Sequence, residues 1–109
     1  MDMIKANLPA GCLDDAKAGL LARGVARIRV AAIKGYVEGR EEEIIWRGCH
    51  MFENLLPEYE LEAVVCHASV DEVVDFIIKT VRQRRGGDGF VCVTPVAECY
   101  RISTGHPQF

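Results

Sequence analysis

The sequence predicts an α+β domain in which four strands form one sheet and two helices cover one of its faces. Three observations predict it. Four stretches read as strands, two of them alternating apolar and polar residues with a period of two, and two stretches repeat apolar residues at helical spacing. The two kinds follow one another as strand, helix, strand, a long connection, then strand, helix, strand. At 109 residues there is room for one hydrophobic core and none for a second.

Residues 3–8 form a short apolar run closed by Pro9, Ala10 and Gly11, a first strand and its turn. Leu13, Ala16, Leu20 and Leu21 give residues 13–23 a helical stripe, and Gly24 stands where a helix stops. In residues 27–33, Ile28 and Val30 share one face and Arg27 and Arg29 the other, as in a half-buried strand. Between Tyr36 and Leu55 the pattern breaks down around Gly39, the charges of residues 40–43 and Gly48. So long a connection in so small a domain is uncommon and is usually functional or disordered. Alternation returns at residues 59–66, where Tyr59, Leu61, Ala63 and Val65 interleave with Glu60 and Glu62. Ser69 with Glu72 reads as a capping box, and Val73, Phe76, Ile77, Thr80 and Val81 as the apolar stripe of the helix it opens. Arg82, Arg84 and Arg85 close that helix, where cations favour the dipole, and residues 90–96 are the last strand. This βαββαβ order is the split βαβ of a ferredoxin-like sandwich. Its second sheet face has no helix to cover it, and the expectation is an apolar surface inviting oligomerisation.

Composition excludes several classes. Half the residues are hydrophobic and the net charge is −3, against the basic face that non-specific nucleic-acid binding needs. No apolar run is long enough to span a bilayer, and the N-terminus has no signal-peptide pattern, so a cytoplasmic location is expected. The five cysteines contain no C-x-x-C pair and read as reduced thiols, with Cys66, Cys92 and Cys99 packed in the core. Residues 1–105 are expected as the domain, and 106–109 (His106, Pro107, Gln108, Phe109) as a native or tag-derived tail.

Chemistry concentrates near the C-terminus. Gly86, Gly87, Asp88 and Gly89 follow a basic helix end and open a strand. Glycines there allow the positive φ of a backbone anion nest and remove side chains from a ligand's path. Arg101 adds a permanently charged planar fork. A plain turn is the competing reading of the glycines, and a helix-end role that of Arg84 and Arg85. Cys49 and His50 offer soft metal ligands, although two adjacent residues rarely make a site alone and an exposed loop accounts for them more simply. His67 reads as a turn residue, and residues 41–43 as a solvated charge run. No Ser/His/Asp set, carboxylate pair or Walker A pattern appears, so no enzyme is expected.

Lys34-Gly35-Tyr36, Trp46-Arg47-Gly48, Leu55-Leu56-Pro57, the run 87–96 and Arg101-Ile102-Ser103-Thr104-Gly105 together resemble the PII nitrogen-regulatory signal-transduction family. The resemblance implies a homotrimer that binds adenine nucleotides (ADP, AMP, ATP) in clefts between subunits. It implies nucleotide contacts from Arg85, Gly87, Asp88, Gly89, Arg101 and Ser103, with Arg101 reaching into the neighbouring cleft. It also implies that residues 37–55 form an effector loop docking on a target protein, be it a transporter, enzyme or regulator. The loop's candidate residues are Glu38, Gly39, Trp46, Arg47, Cys49, His50, Met51 and Phe52.

The chain departs from the family pattern at several of these positions. Met51 stands where the family has its modifiable tyrosine, and Trp46 where it has the other loop tyrosine. Gly39 replaces the glutamine that helps hold magnesium for 2-oxoglutarate, and Glu58 the lysine that pairs its carboxylate. Glu38, Phe90 and Ser103 replace three phosphate-facing cations. The expectation is therefore ADP or AMP favoured over ATP, and no response to 2-oxoglutarate. A carboxysome-associated, bicarbonate-responsive branch of the family stays open for the context, in carbon or nitrogen metabolism. The alternative is a ferredoxin-like trimer that binds a metal or a small anion such as bicarbonate, with a vestigial nucleotide site.

Overall fold

The computed structural model describes residues 1–25, 27–36, 42–46, 49–53, 55–84 and 87–107, without the side chains at 36, 42–46, 49–53 and 55. Strand β1 (Asp2–Pro9) leads through a 3-10 turn, Ala10–Cys12, into helix α1 (Leu13–Ala22). Strands β2 (Arg29–Tyr36), β3 (Glu42–Trp46), β4 (Cys49–Glu53) and β5 (Leu55–Val65) follow in turn. A second 3-10 turn, His67–Ser69, opens helix α2 (Val70–Arg82), and β6 (Phe90–Pro95) ends the fold. The sheet order is β2-β5-β1-β6, antiparallel throughout, as a ferredoxin-like split βαβ requires.

Register decides the two faces. Ile4, Ala6 and Leu8 of β1 stand opposite Ala63, Leu61 and Tyr59 of β5, and opposite Val93 and Val91 of β6. With Ala16 and Leu20 of α1 and Val73, Ile77 and Val81 of α2, the residues Ile4, Ala6, Leu8, Leu61 and Ala63 make the core, and Val91 packs against it. Ile4, Leu8, Leu20, Leu61 and Ile77 are fully buried, each worth about 1.5–3 kcal/mol of transfer free energy. Val30 pairs with Leu61, so its face is the one read from the alternation, but pairing in β2 begins only at Arg29 and runs on to Tyr36.

The two helices meet through Gly19. The Phe76 ring lies where a side chain at 19 would stand, and the Arg23 guanidinium stacks 4.0 Å above that ring. Arg23 also donates to the Gly19 carbonyl at 3.0 Å and faces Glu72 at 3.6 Å. Gly24, at φ 83°, ends α1 in the left-handed conformation that glycine adopts without strain. Thr80, buried in α2, is satisfied by donating to the Phe76 carbonyl at 2.9 Å.

Four expectations need correction. Ser69 does not cap α2 with its side chain: it ends a 3-10 turn with helical φ and ψ, and a capping oxygen needs an extended N-cap backbone. The uncovered sheet face is not uniformly apolar. At its centre Lys5 lies 3.5 Å from Glu60 and 3.4 Å from Glu62, with Arg29 at 3.9 Å from Glu62. The Glu62 hydrogen bond, then the charges of Glu60 and Glu62, raise the Lys5 pKa above its usual value. Cys66 and Cys92 are exposed and Cys99 half-buried, so of the four cysteines whose side chains are described only Cys12 packs in the core. Cys92 pairs with Lys5 on the uncovered face, and Cys66 follows the end of β5, which is why strand position alone misplaced them. Finally, the connection between β2 and β5 contains an antiparallel hairpin of β3 and β4, paired from Glu42↔Glu53 to Trp46↔Cys49. The charges at its start hid the signal, yet Ile44-Ile45-Trp46 favours strand and only two residues, 47 and 48, separate the partners.

Candidate nucleotide cleft and effector arm

Gly87, Asp88 and Gly89 connect the end of α2 to the start of β6 and line a cleft of about 270 Å³. Leu8, Ile77, Val81 and Val91 form its apolar floor, and Arg82 and Phe90 stand at its edge. The glycines are required for proximity and not for backbone handedness. The positive-φ glycines among the described residues are Gly24 and Gly105, so Gly87 and Gly89 do not form a nest of that kind. A Cβ on Gly87 would collide with the Val81 carbonyl oxygen, and one on Gly89 with the Asn7 carbonyl oxygen. The segment is thus pressed against the last turn of α2 on one side and against β1 on the other. Beside it, the buried Asn7 Oδ1 has no hydrogen-bond partner among the described residues. Asn7, Val74 and Ile78 also line this cleft, and no local motif marks them, because only the tertiary packing brings them there.

Arg101 and Ser103 lie at the other end of β6. That strand runs from Phe90, opposite Asn7, to Pro95, opposite Asp2, and its six residues span about 20 Å. Within one chain they are therefore not brought to the glycine segment. They sit in a tight loop in which the Arg101 N–H donates to the His106 carbonyl at 3.0 Å and the Gly105 N–H to the Arg101 carbonyl at 2.8 Å. Arg101 and Ser103 are both exposed. Arg85 lies outside the described residues. Arg84 lies across Gly11, where its guanidinium fills the space of a missing side chain, a role neither of the sequence readings contained. Burial raises the neighbouring Cys12 thiol pKa, and the Arg84 charge opposes that shift.

The effector-loop candidates divide similarly. Glu38, Gly39 and Arg47 lie outside the described residues. Trp46 and Cys49 are the last pair of the hairpin, followed inward by Ile45↔His50, Ile44↔Met51 and Glu43↔Phe52. At the arm's base, the Glu58 carboxylate covers Gly35, with Oε2 2.7 Å from where a side chain at 35 would begin. His67 is more than a turn residue. Its Nδ1 pairs at 2.7 Å with Oδ2 of the buried Asp2, tying the start of α2 to the first strand. No helix of the described residues is long and apolar enough to cross a membrane.

The chain is thus a ferredoxin-like α+β domain with a glycine segment beside its last strand and an arm between its second and third core strands. Residues 1–106 match the family model "Nitrogen regulatory protein P-II". The chain is 34% identical over 93 residues to a nitrogen regulatory protein P-II of Klebsiella oxytoca, covering 85% of this chain and 83% of that one. It is 30% identical over 105 residues to one of Cereibacter sphaeroides, covering 96% and 94%. Nitrogen regulatory protein P-II 1 of Escherichia coli K12 is 34% identical over 93 residues, with coverage of 85% and 83%. The chain belongs to the P-II family of nitrogen-regulatory signalling proteins.

Proposed function

We propose that this P-II protein binds adenine nucleotides in clefts between copies of a homotrimer and reports their binding to a partner protein through its arm, residues 37–55. One observation carries the reading: the phosphate-type groups of a single chain are split between the two ends of β6. Gly87–Gly89 present backbone at one end, while Arg101 and Ser103 are exposed at the other. A ligand that uses both sets must lie between two chains, and a cyclic arrangement satisfies every copy equally.

ADP and AMP are the favoured ligands. Phe90, at 55% exposure, extends apolar surface from the edge of the cleft, and Ser103 offers a hydroxyl in place of a second guanidinium. A hydrogen bond to a charged group contributes about 1.5–3 kcal/mol, so the loss of one γ-phosphate contact weakens ATP by tenfold or more. Calorimetric titration is the test: ADP or AMP binds at least as tightly as ATP, and Arg101→Ala weakens whichever binds. ATP bound much more tightly than ADP overturns the preference, and no nucleotide binding at all overturns the reading.

A further inference from the structure

The Asn7 carboxamide is a polar group that the fold leaves incomplete. Its Oδ1 is shut off from water and accepts no hydrogen bond among the described residues. A buried acceptor in that state costs free energy that a donor would recover. The surroundings explain why its neighbours supply none. Asn7 stands in the central strand β1, paired on both sides, so the backbone around it is committed to the sheet. Its register partners are Glu60 on β5 and Phe90 on β6, and neither an ionised carboxylate nor a benzyl ring donates. Two residues back on the same face, Lys5 is held by Glu60 and Glu62 at 3.5 and 3.4 Å. Two residues on, Pro9 has no N–H.

The place of this acceptor connects it to the ligand site. Asn7 lines the cleft together with Gly87, Asp88 and Gly89, and its carbonyl oxygen is the atom that a Cβ on Gly89 would strike. We propose that Asn7 reads the sugar of the bound nucleotide: Oδ1 accepts a hydrogen bond from a ribose hydroxyl, and the site selects ribonucleotides over deoxyribonucleotides. The inference rests on the nucleotide reading above and adds to it a contact within the cleft. Order along the ligand chooses the sugar. With phosphate held by residues 87–89, the residue pressed against them meets the group next to phosphate, and the base lies one ring further away. Chemistry agrees, because phosphate oxygens accept hydrogen bonds whereas ribose hydroxyls donate them. The amide is also uncharged, so it accepts beside a phosphate without the repulsion a carboxylate would bring.

Calorimetric titration with ADP, 2′-deoxy-ADP and 3′-deoxy-ADP, on wild type and on Asn7→Leu, tests the contact. Wild type binds one of the deoxy analogues about three- to thirtyfold more weakly than ADP. Asn7→Leu, which keeps the volume and removes the acceptor, binds ADP and that analogue alike. ADP bound by wild type no better than either analogue sinks this contact alone. No ADP binding at all sinks the nucleotide reading, and the contact with it. Thermal unfolding without nucleotide separates ligand recognition from a structural role. Asn7→Leu is at least as stable as wild type, because it removes an unsatisfied buried acceptor; a lower Tm would mean that Oδ1 has a partner within the fold, and the proposal falls. Sedimentation addresses the remaining donor, a neighbouring copy. The variant assembles as wild type does, and weaker assembly with the sugar preference unchanged gives the donor to that copy and overturns the assignment.

Discussion

Replacing Gly89 with alanine separates a packing role for the glycine segment from a merely permissive one. The new methyl group points at the Asn7 carbonyl oxygen, which belongs to the backbone of the central strand β1 and is fixed by pairing on both sides. To reach ordinary contact the segment and β1 must part by roughly an ångström, because no rotamer change relieves a backbone clash. Overpacking of this kind costs typically about 1–3 kcal/mol. Against it stands the about 0.4–1 kcal/mol that a glycine-to-alanine change gains by stiffening the unfolded chain. The balance is a net loss of about 1–2 kcal/mol, or a fall in Tm of about 4–8 °C for each kcal/mol in a domain of this size. The assay is thermal unfolding at fixed protein concentration, followed by ADP titration below the transition. Gly24→Ala is the control. It forces a left-handed residue at a cost of about 1–2 kcal/mol but meets no neighbouring atom, so it lowers Tm and leaves ADP affinity intact. If Gly89→Ala is as stable as wild type and binds ADP equally, the close approach to β1 is not what requires glycine there.

Other outcomes follow from features already described. 2-Oxoglutarate fails to bind in the presence of magnesium and ATP, because the Glu58 carboxylate over Gly35 repels a dicarboxylate; submillimolar affinity by calorimetry would contradict this. Deleting residues 41–51 removes the hairpin while leaving the β2–β5 pairing, so trimer formation and ADP affinity persist and partner capture is lost. Collapse of the trimer on deletion would make the arm structural. Alkylation with iodoacetamide at neutral pH, mapped by mass spectrometry, modifies exposed Cys66 well before buried Cys12, whose raised pKa lowers its thiolate fraction further. Equal rates at the two sites would refute that burial.

Much of this architecture is legible without coordinates, for definable reasons. The stripe of α2 and the alternation of β5 each encode a face, and a face is what the core selects. Gly24 announced the end of α1 because few other residues accept its φ. Reading fails where a residue's environment is made by distant chain. Cys92 carries an apolar side chain in a strand, but only the register with Lys5 shows which face it occupies. Arg84 reads as a helix-end cation until Gly11, far back in sequence, supplies the surface it covers. The glycine segment reads from sequence as left-handed backbone, whereas Gly87 and Gly89 are held to glycine by close packing, and both requirements select the same residue.

The two ladders that make up the arm and the sheet are offset. Tyr36 pairs with Leu55 and Glu42 with Glu53, so five residues connect the ladders on one side and a single residue on the other. An insertion or deletion in that five-residue stretch changes neither set of pairs. Mutation can therefore turn the arm's faces, or exchange its apolar tip, while the sheet keeps its own register. The arm's sequence is thus free to change without disturbing the pairs that hold the four-stranded sheet together. Trp46 and Met51, two of the chain's departures from the family pattern, fall within that hairpin.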